Sequence, residues 1–554
     1  MLIKIITNNL KFFYTMKHTL QFFYSNLNQL VLILCISLLL FSCDDKVTIE
    51  GNNDKAAITI NENDYKKIPA PVKFSADIPV DVNPVIQKKL KDKKNIFKLN
   101  EKFNEYSWQA FIAIMWPRDK KGKPAEKFTD KGEPTWLGWK EAFQVYRKDG
   151  KTPAPWGSPR TASGLNLSEN AINDTNSRIV LSSATPTTPK NFDIADEVNQ
   201  AFAGKLFDQN GSVVVYEVLM NKEEFDYIVT NKLYNKNGQT KFSESGIANF
   251  PKGDYKKSKL GAIEIKFAWK ILTDKDHKER YYREEGYIIS PDSTLVKKDL
   301  GMIGFHISQK TPTGKQWVWS TFEHIDNLDQ NVIEKDEKTT VISPSLTDPN
   351  CEICPVNLDV TNGGTTYTHN KGAHGDFWTI SSSNTDMYYA KSDTMKTQAK
   401  RMVDIPVRVK RVNEKMQTYF KQQKSVWQYY QLIDTQYPLD QNALPGNHTE
   451  AGYKVPESVV NKPGGNPNLA LLTNITMETF FQTGNQSAAN LMEANPVSDI
   501  TIFGTESCMG CHSSAGIYEY KNGKAISGDQ LSGDFSWLLG KAQWEKGKPK
   551  KPSN

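Results

Sequence analysis

The chain has 554 residues, a formal net charge of +6 and 38% hydrophobic residues, with 12 Trp. That length and aromatic content suit a folded body of one large domain or two to three smaller ones, and exclude a disordered chain. The mild charge is spread over 69 basic and 63 acidic residues, and nothing resembles the concentrated basic patch of a nucleic-acid binder. The closing lysines Lys546, Lys548, Lys550 and Lys551 read as a solvated tail.

Gln29 to Phe41, QLVLILCISLLLF, is apolar but short for a bilayer span, and has the length of a signal-peptide core. Leu40-Phe41-Ser42-Cys43 follows and then Asp44-Asp45, a pattern suited to cleavage before Cys43 and acylation of that cysteine. Phe41 is bulkier than the usual residue there, and an uncleaved signal anchor is the alternative. Met16 gives a leader of more ordinary length than Met1. The expectation is export, with a lipid bilayer as partner through Cys43. Residues 1–42 read as leader and the Pro-punctuated stretch 43–80 as a tether.

Residues 81–470 are expected to form the body. NEYSWQAFIAIMWP places Tyr106, Phe111 and Met115 at helical spacing and stops at Pro117. A second helix is expected over Trp136–Tyr146. Strands are expected over Gly211–Met220, Lys259–Leu272, Tyr281–Ile289, Gly301–Lys310 and Gln316–Ile325. Arg411–Ile433 reads as an amphipathic helix and Thr473–Met492 as a helix broken at Gly484. The fold class expected is therefore α+β, a large mixed or antiparallel sheet with surrounding helices and a helical C-terminal segment over 471–554.

Cysteine usage is the sharpest signal. With Cys35 in the leader and Cys43 acylated, four cysteines remain, as Cys351/Cys354 and Cys508/Cys511. Cys508-Met509-Gly510-Cys511-His512 is a CxxCH motif: two thiols three residues apart can add to the vinyl groups of one haem, and His512 can hold the iron. The alternatives are a four-cysteine zinc site or a plain disulfide, both less suited to an exported chain with this histidine. Cys351-Glu352-Ile353-Cys354 lacks the histidine and reads as a local disulfide.

Only 42 residues follow His512, and they contain neither Met nor His, so any sixth iron ligand comes from earlier in the chain. His324 is the first choice and His306 the second, both on expected strands. His369, His374, Met477 and Met492 are further candidates, and an open sixth position is the alternative. Glu323 adjoins His324, but neighbours on a strand point to opposite faces, so the pair is read as coincidental.

SWQAFIAIMWP, WLGWKEAFQVY, FDQNGSVVVYEV, GAIEIKFAWK, GFHISQKTPTGKQWVWSTFEHIDN, ESCMGCHSSAG and DFSWLLGKAQ occur in order from about Asn104 to Gln543. As a set they resemble a group of large bacterial exported proteins described as cytochrome c family proteins. The resemblance implies one covalent haem c at Cys508, Cys511 and His512, and export. It names no substrate. The leading expectation is single-electron transfer between redox partner proteins at a periplasmic or surface location. A haem-dependent peroxidase or oxygenase is the second, favoured by a body larger than electron transfer needs. A surface binding module with structural haem is the third.

Overall fold

The structure is a computed structural model, and it describes residues 69–548 apart from 159–179, 183–198, 201–203, 290–294, 336–337, 352–355, 359–365, 373–374, 381–386, 390–395, 443–465, 470–471, 483–506, 514, 523, 529–530. The leader, Cys43 and most of the tether lie outside these residues. Residues 67–554 form one compact unit.

Its centre is an eight-stranded sheet. In chain order the strands are β1 (Lys140–Glu141), β2 (Val180–Ser182), β3 (Val215–Met220), β4 (Ile263–Ile271), β5 (Arg283–Ile289), β6 (Leu295–Thr311), β7 (Gly314–His324) and β8 (Tyr430–Gln436). The spatial order is β8-β7-β6-β4-β3-β1, with β5 pairing the first half of β6 and β2 lying parallel beside β5. All other pairings in this sheet are antiparallel, so α+β with a large antiparallel sheet is the observed class. The expected strands at Gly211–Met220 and onward all lie here, because their β-branched and aromatic residues fill a surface packed on both sides.

One face of the sheet is covered by helices. The helix α1 spans Pro84–Asp92 and α2 spans Ile96–Ile114, the latter capped by the Asn95 side chain accepting from Lys98 N at 3.2 Å. Helix α4, Val407–Gln422, lies with α2 on this face, whereas α3, Lys222–Thr230, packs Phe225 and Ile228 into a separate apolar cluster with Trp317, Trp319 and Met509. Trp108 and Phe111 of α2 reach the sheet at helical spacing. Phe111 stacks on Phe322 of β7 at 4.5 Å and meets Trp427 edge-on at 5.1 Å. Phe267, Trp269 and Phe305 continue this apolar layer. Packing begins before residue 81, since Phe74 stacks on Tyr419 of α4 at 5.7 Å.

The helical readings are shorter than expected. Trp136–Tyr146 is a 3₁₀ turn, the strand β1 and a four-residue helix, because Trp136 is drawn into the core against Phe267. The Arg411 helix stops at Gln422, and Lys424 takes a left-handed φ of 51°. The chain from Tyr430 then pairs with β7 as β8, tertiary pairing overriding local pattern. Past Thr473 the described residues make turns and one 3₁₀ turn, Thr479–Phe481. There the Asn474 side chain accepts from Thr476 N and binds β7, competing with a helix. The C-terminal segment is likewise helical only in short pieces among its described residues. Helix α5 is only Cys508–His512, and a hairpin follows, β9 (Tyr518–Lys521) with β10 (Lys524–Ser527). Leu531, Asp534 and Phe535 then take left-handed φ values of 61°, 51° and 68°, which no continuing helix allows.

Candidate functional site

Alternation along the strands sends Lys266 of β4, His306 of β6 and Thr321 of β7 to the face opposite the helices, where they are cross-strand neighbours. Two stretches from late in the chain cover this face. The first is 472–482. Asn474 Nδ2 donates to Thr321 Oγ1 and to the Phe322 carbonyl, both at 2.8 Å, and Tyr216 donates to the Thr476 carbonyl at 2.6 Å. Gly304 makes this approach possible, since a Cβ there would fall 1.9 Å from Thr476 Oγ1. Ile475 N donates to Glu323, which also pairs with Arg401.

The second stretch carries α5. Ser507 caps it, and buried Gln436 of β8 clasps it: Gln436 Nε2 donates to Ser507 Oγ at 2.6 Å, and Met509 N donates to Gln436 Oε1 at 2.7 Å. Met509 is buried in the core beneath, facing away from solvent. Cys508 and Cys511 are both free thiols, and Cys508 Sγ donates to the Leu472 carbonyl at 3.6 Å. Burial raises both thiols, Cys511 to about 11 and Cys508 further, with Glu478 adding to each. They therefore lack the depressed pKa of a redox-active CxxC.

His512 is held from two sides. Its ring lies 4.3 Å from that of Trp319, and its Nδ1 is 2.8 Å from the Phe535 carbonyl. A carbonyl can only accept, so Nδ1 is the protonated nitrogen and Nε2 keeps its lone pair. Burial pushes the imidazole down to about 4, keeping it neutral. The turn that presents this carbonyl is pinned by Asp534, which pairs with Lys310 of β6 and accepts from Phe250 N at 2.6 Å.

His306 lies on the same face. Its Nε2 is buried with no hydrogen-bond partner, and Glu478 Oε2 stands 3.6 Å away. Burial raises the Glu478 carboxyl to about 7, against the pull of Lys266. His324, the first choice from sequence, sits elsewhere and is fully committed. Its Nε2 contacts the Arg280 carbonyl at 2.9 Å, its Nδ1 accepts from Asp326 N at 3.1 Å, and its ring stacks on Tyr281 at 4.3 Å. Glu323 does not join it, being turned to Ile475 and Arg401. Met477 is fully buried among Tyr216, Ala268 and Ile303. His369 lies in a strand spanning Thr366–Gly372, while His374 and Met492 fall outside the described residues. Cys351 is disulfide-bonded, with Cys354 outside the described residues, and a disulfide sulfur cannot also serve a four-cysteine zinc site.

Lys266, Glu478, Gln436 and the Phe535 carbonyl were not anticipated from sequence. Lys266 alone left a trace, as a lysine interrupting the apolar strand IEIKFAW. The others depend on which segments meet. Two free thiols, an imidazole with an available Nε2 and a second unpaired imidazole nitrogen make a donor set that fits a covalently attached haem. No family model, curated protein or solved structure matches the chain.

Proposed function

We propose that the chain is an exported, lipid-anchored c-type cytochrome, with one haem joined to Cys508 and Cys511 and its iron held by His512. The observation that carries this reading is the Nδ1 contact of His512 with the Phe535 carbonyl, which fixes the tautomer and ring orientation an iron-binding histidine requires. When bound, the haem supplies the one-electron couple. The chain's own residues do the rest: Gln436 and Ser507 set the helix bearing both thiols, and Trp319 and Phe535 orient the imidazole. The buried surroundings of both thiols and the imidazole limit water access, a lever on potential.

Partner proteins that exchange single electrons are the proposed correspondents, and acylated Cys43 is the proposed tether at a periplasmic or cell-surface membrane. No helix among the described residues is long and apolar enough to cross a membrane. The full chain made in a host competent for cytochrome maturation tests the reading. One haem should add to the mass of the mature polypeptide and survive denaturation, and a mass of amino acids plus lipid alone overturns it. A spectrum insensitive to cyanide and peroxide supports a carrier, whereas a ligand-responsive one supports the peroxidase or oxygenase alternative.

A further inference from the structure

Two imidazoles converge, from unrelated parts of the chain, on the face of the sheet that residues 472–482 cross as a strap. His512 arrives on α5, and its ring rests on Trp319 of β7. Trp319 is the cross-strand partner of Ser308 on β6, and His306 lies two residues further along β6 on the same face. That step is roughly 7 Å along a strand. His306 therefore stands one same-face strand position from the place where His512 is seated.

The two rings differ in what is left to them. His512 spends Nδ1 on a carbonyl and keeps Nε2. His306 has a buried Nε2 that no hydrogen bond satisfies. An unmatched buried nitrogen carries a desolvation cost, and its persistence calls for a partner that the protein atoms do not provide. We infer that His306 Nε2 is the second axial ligand of the iron held by His512, which makes the haem six-coordinate.

His324, Met477 and Met509 are each engaged elsewhere. Both nitrogens of His324 are used, by the Arg280 carbonyl and by Asp326 N. Met477 is packed in the core with Tyr216, Ala268 and Ile303, and Met509 in a second cluster with Trp317 and Trp319. The arrangement that would displace the inference is closure of the 3.6 Å gap between His306 and Glu478 into a hydrogen bond, which would leave the sixth position open.

The inference rests on the haem reading above, and the experiment separates the two. The full chain, His306→Ala, His306→Met and His324→Ala are made in a maturation-competent host. Intact mass and haem content are read first, then ferric absorption and electron paramagnetic resonance. Expected are one haem throughout, a low-spin parent and a high-spin His306→Ala whose low-spin signal returns when imidazole is added. His306→Met should stay low-spin with a raised potential, since Met in place of His favours the reduced iron. His324→Ala should keep the parent's spin state. A haem-loaded parent that is high-spin, or a haem-loaded His306→Ala as low-spin as the parent, overturns the axial assignment and leaves the haem reading standing. A parent without covalent haem overturns both.

Discussion

The two faces of the central sheet are built on opposite terms. The helix-covered face is mainly aromatic: Trp108, Phe111, Phe267, Phe305 and Phe322 interlock, and α2 and α4 satisfy their own backbones. The opposite face carries Lys266, His306, Thr321 and Glu323 beside an apolar cluster around Trp317 and Trp319, and its polar part is covered by turns whose polar groups must be matched one at a time. A helix can be packed by apolar area alone, whereas irregular backbone needs specific partners. That requirement gathers polar side chains under the strap, and the candidate chemistry lies where they gather.

Four measurements would break or sharpen this contrast. The largest effect is expected from Cys508→Ala with Cys511→Ala, which should abolish covalent haem while the helix-covered face stays folded. Mass spectrometry and circular dichroism read the two halves of that statement, and residual covalent haem would refute it. Next, Phe111→Ala should cost about 4 kcal/mol of unfolding free energy by opening a cavity among Phe322, Phe305 and Trp427. Haem content should be unchanged in the fraction that folds, so a selective loss of haem would show that the faces are not independent.

Gly304→Ala acts on the other side. Its new methyl would meet Thr476 Oγ1, so residues 472–482 must shift at a cost of about 2 kcal/mol. Faster amide exchange should follow around Asn474 and Ile475 with little change in α2, and uniform acceleration would contradict the contrast. The smallest effect concerns pH. Glu224 of α3 and Glu264 of β4 are buried together, and desolvation raises both, Glu264 to about 6. A carboxyl whose pKa is higher in the folded state stabilises fully below the unfolded value near 4.5 and loses that contribution as pH rises through 6. The parent should therefore lose about 2 kcal/mol relative to Glu264→Gln between pH 4 and 8, read by denaturant titration. Parallel stability profiles for the two proteins would count against it.

Much of the fold was readable from local pattern. Strands such as IEIKFAW alternate or run apolar over lengths typical of a strand, and SWQAFIAIMWP has helical spacing ended by Pro117. Failures came where a side chain found a better partner than its own helix. Trp136 went to the core, Asn474 bonded β7, and Tyr430 entered the sheet. The candidate site divides in the same way. The CxxCH motif is contiguous and was legible, whereas the ranking of His324 over His306 was not, because both lie on strands and look alike in one dimension. Separating them takes the Arg280 carbonyl and Asp326 amide that engage one ring, and the lack of a hydrogen bond at the other's Nε2.

Chemistry confined to a few adjacent residues, as in Cys508 to His512, is written into the order of the amino acids, since neighbours in the chain are neighbours in space. The same holds for the period of each strand and for the fold class that those periods imply. Which histidine keeps a usable nitrogen, and which carbonyl orients His512, depends on contacts between segments hundreds of residues apart. Those contacts follow from how the strap settles on the sheet, a balance of burial and hydrogen-bond matching over the whole body that no short stretch of sequence carries.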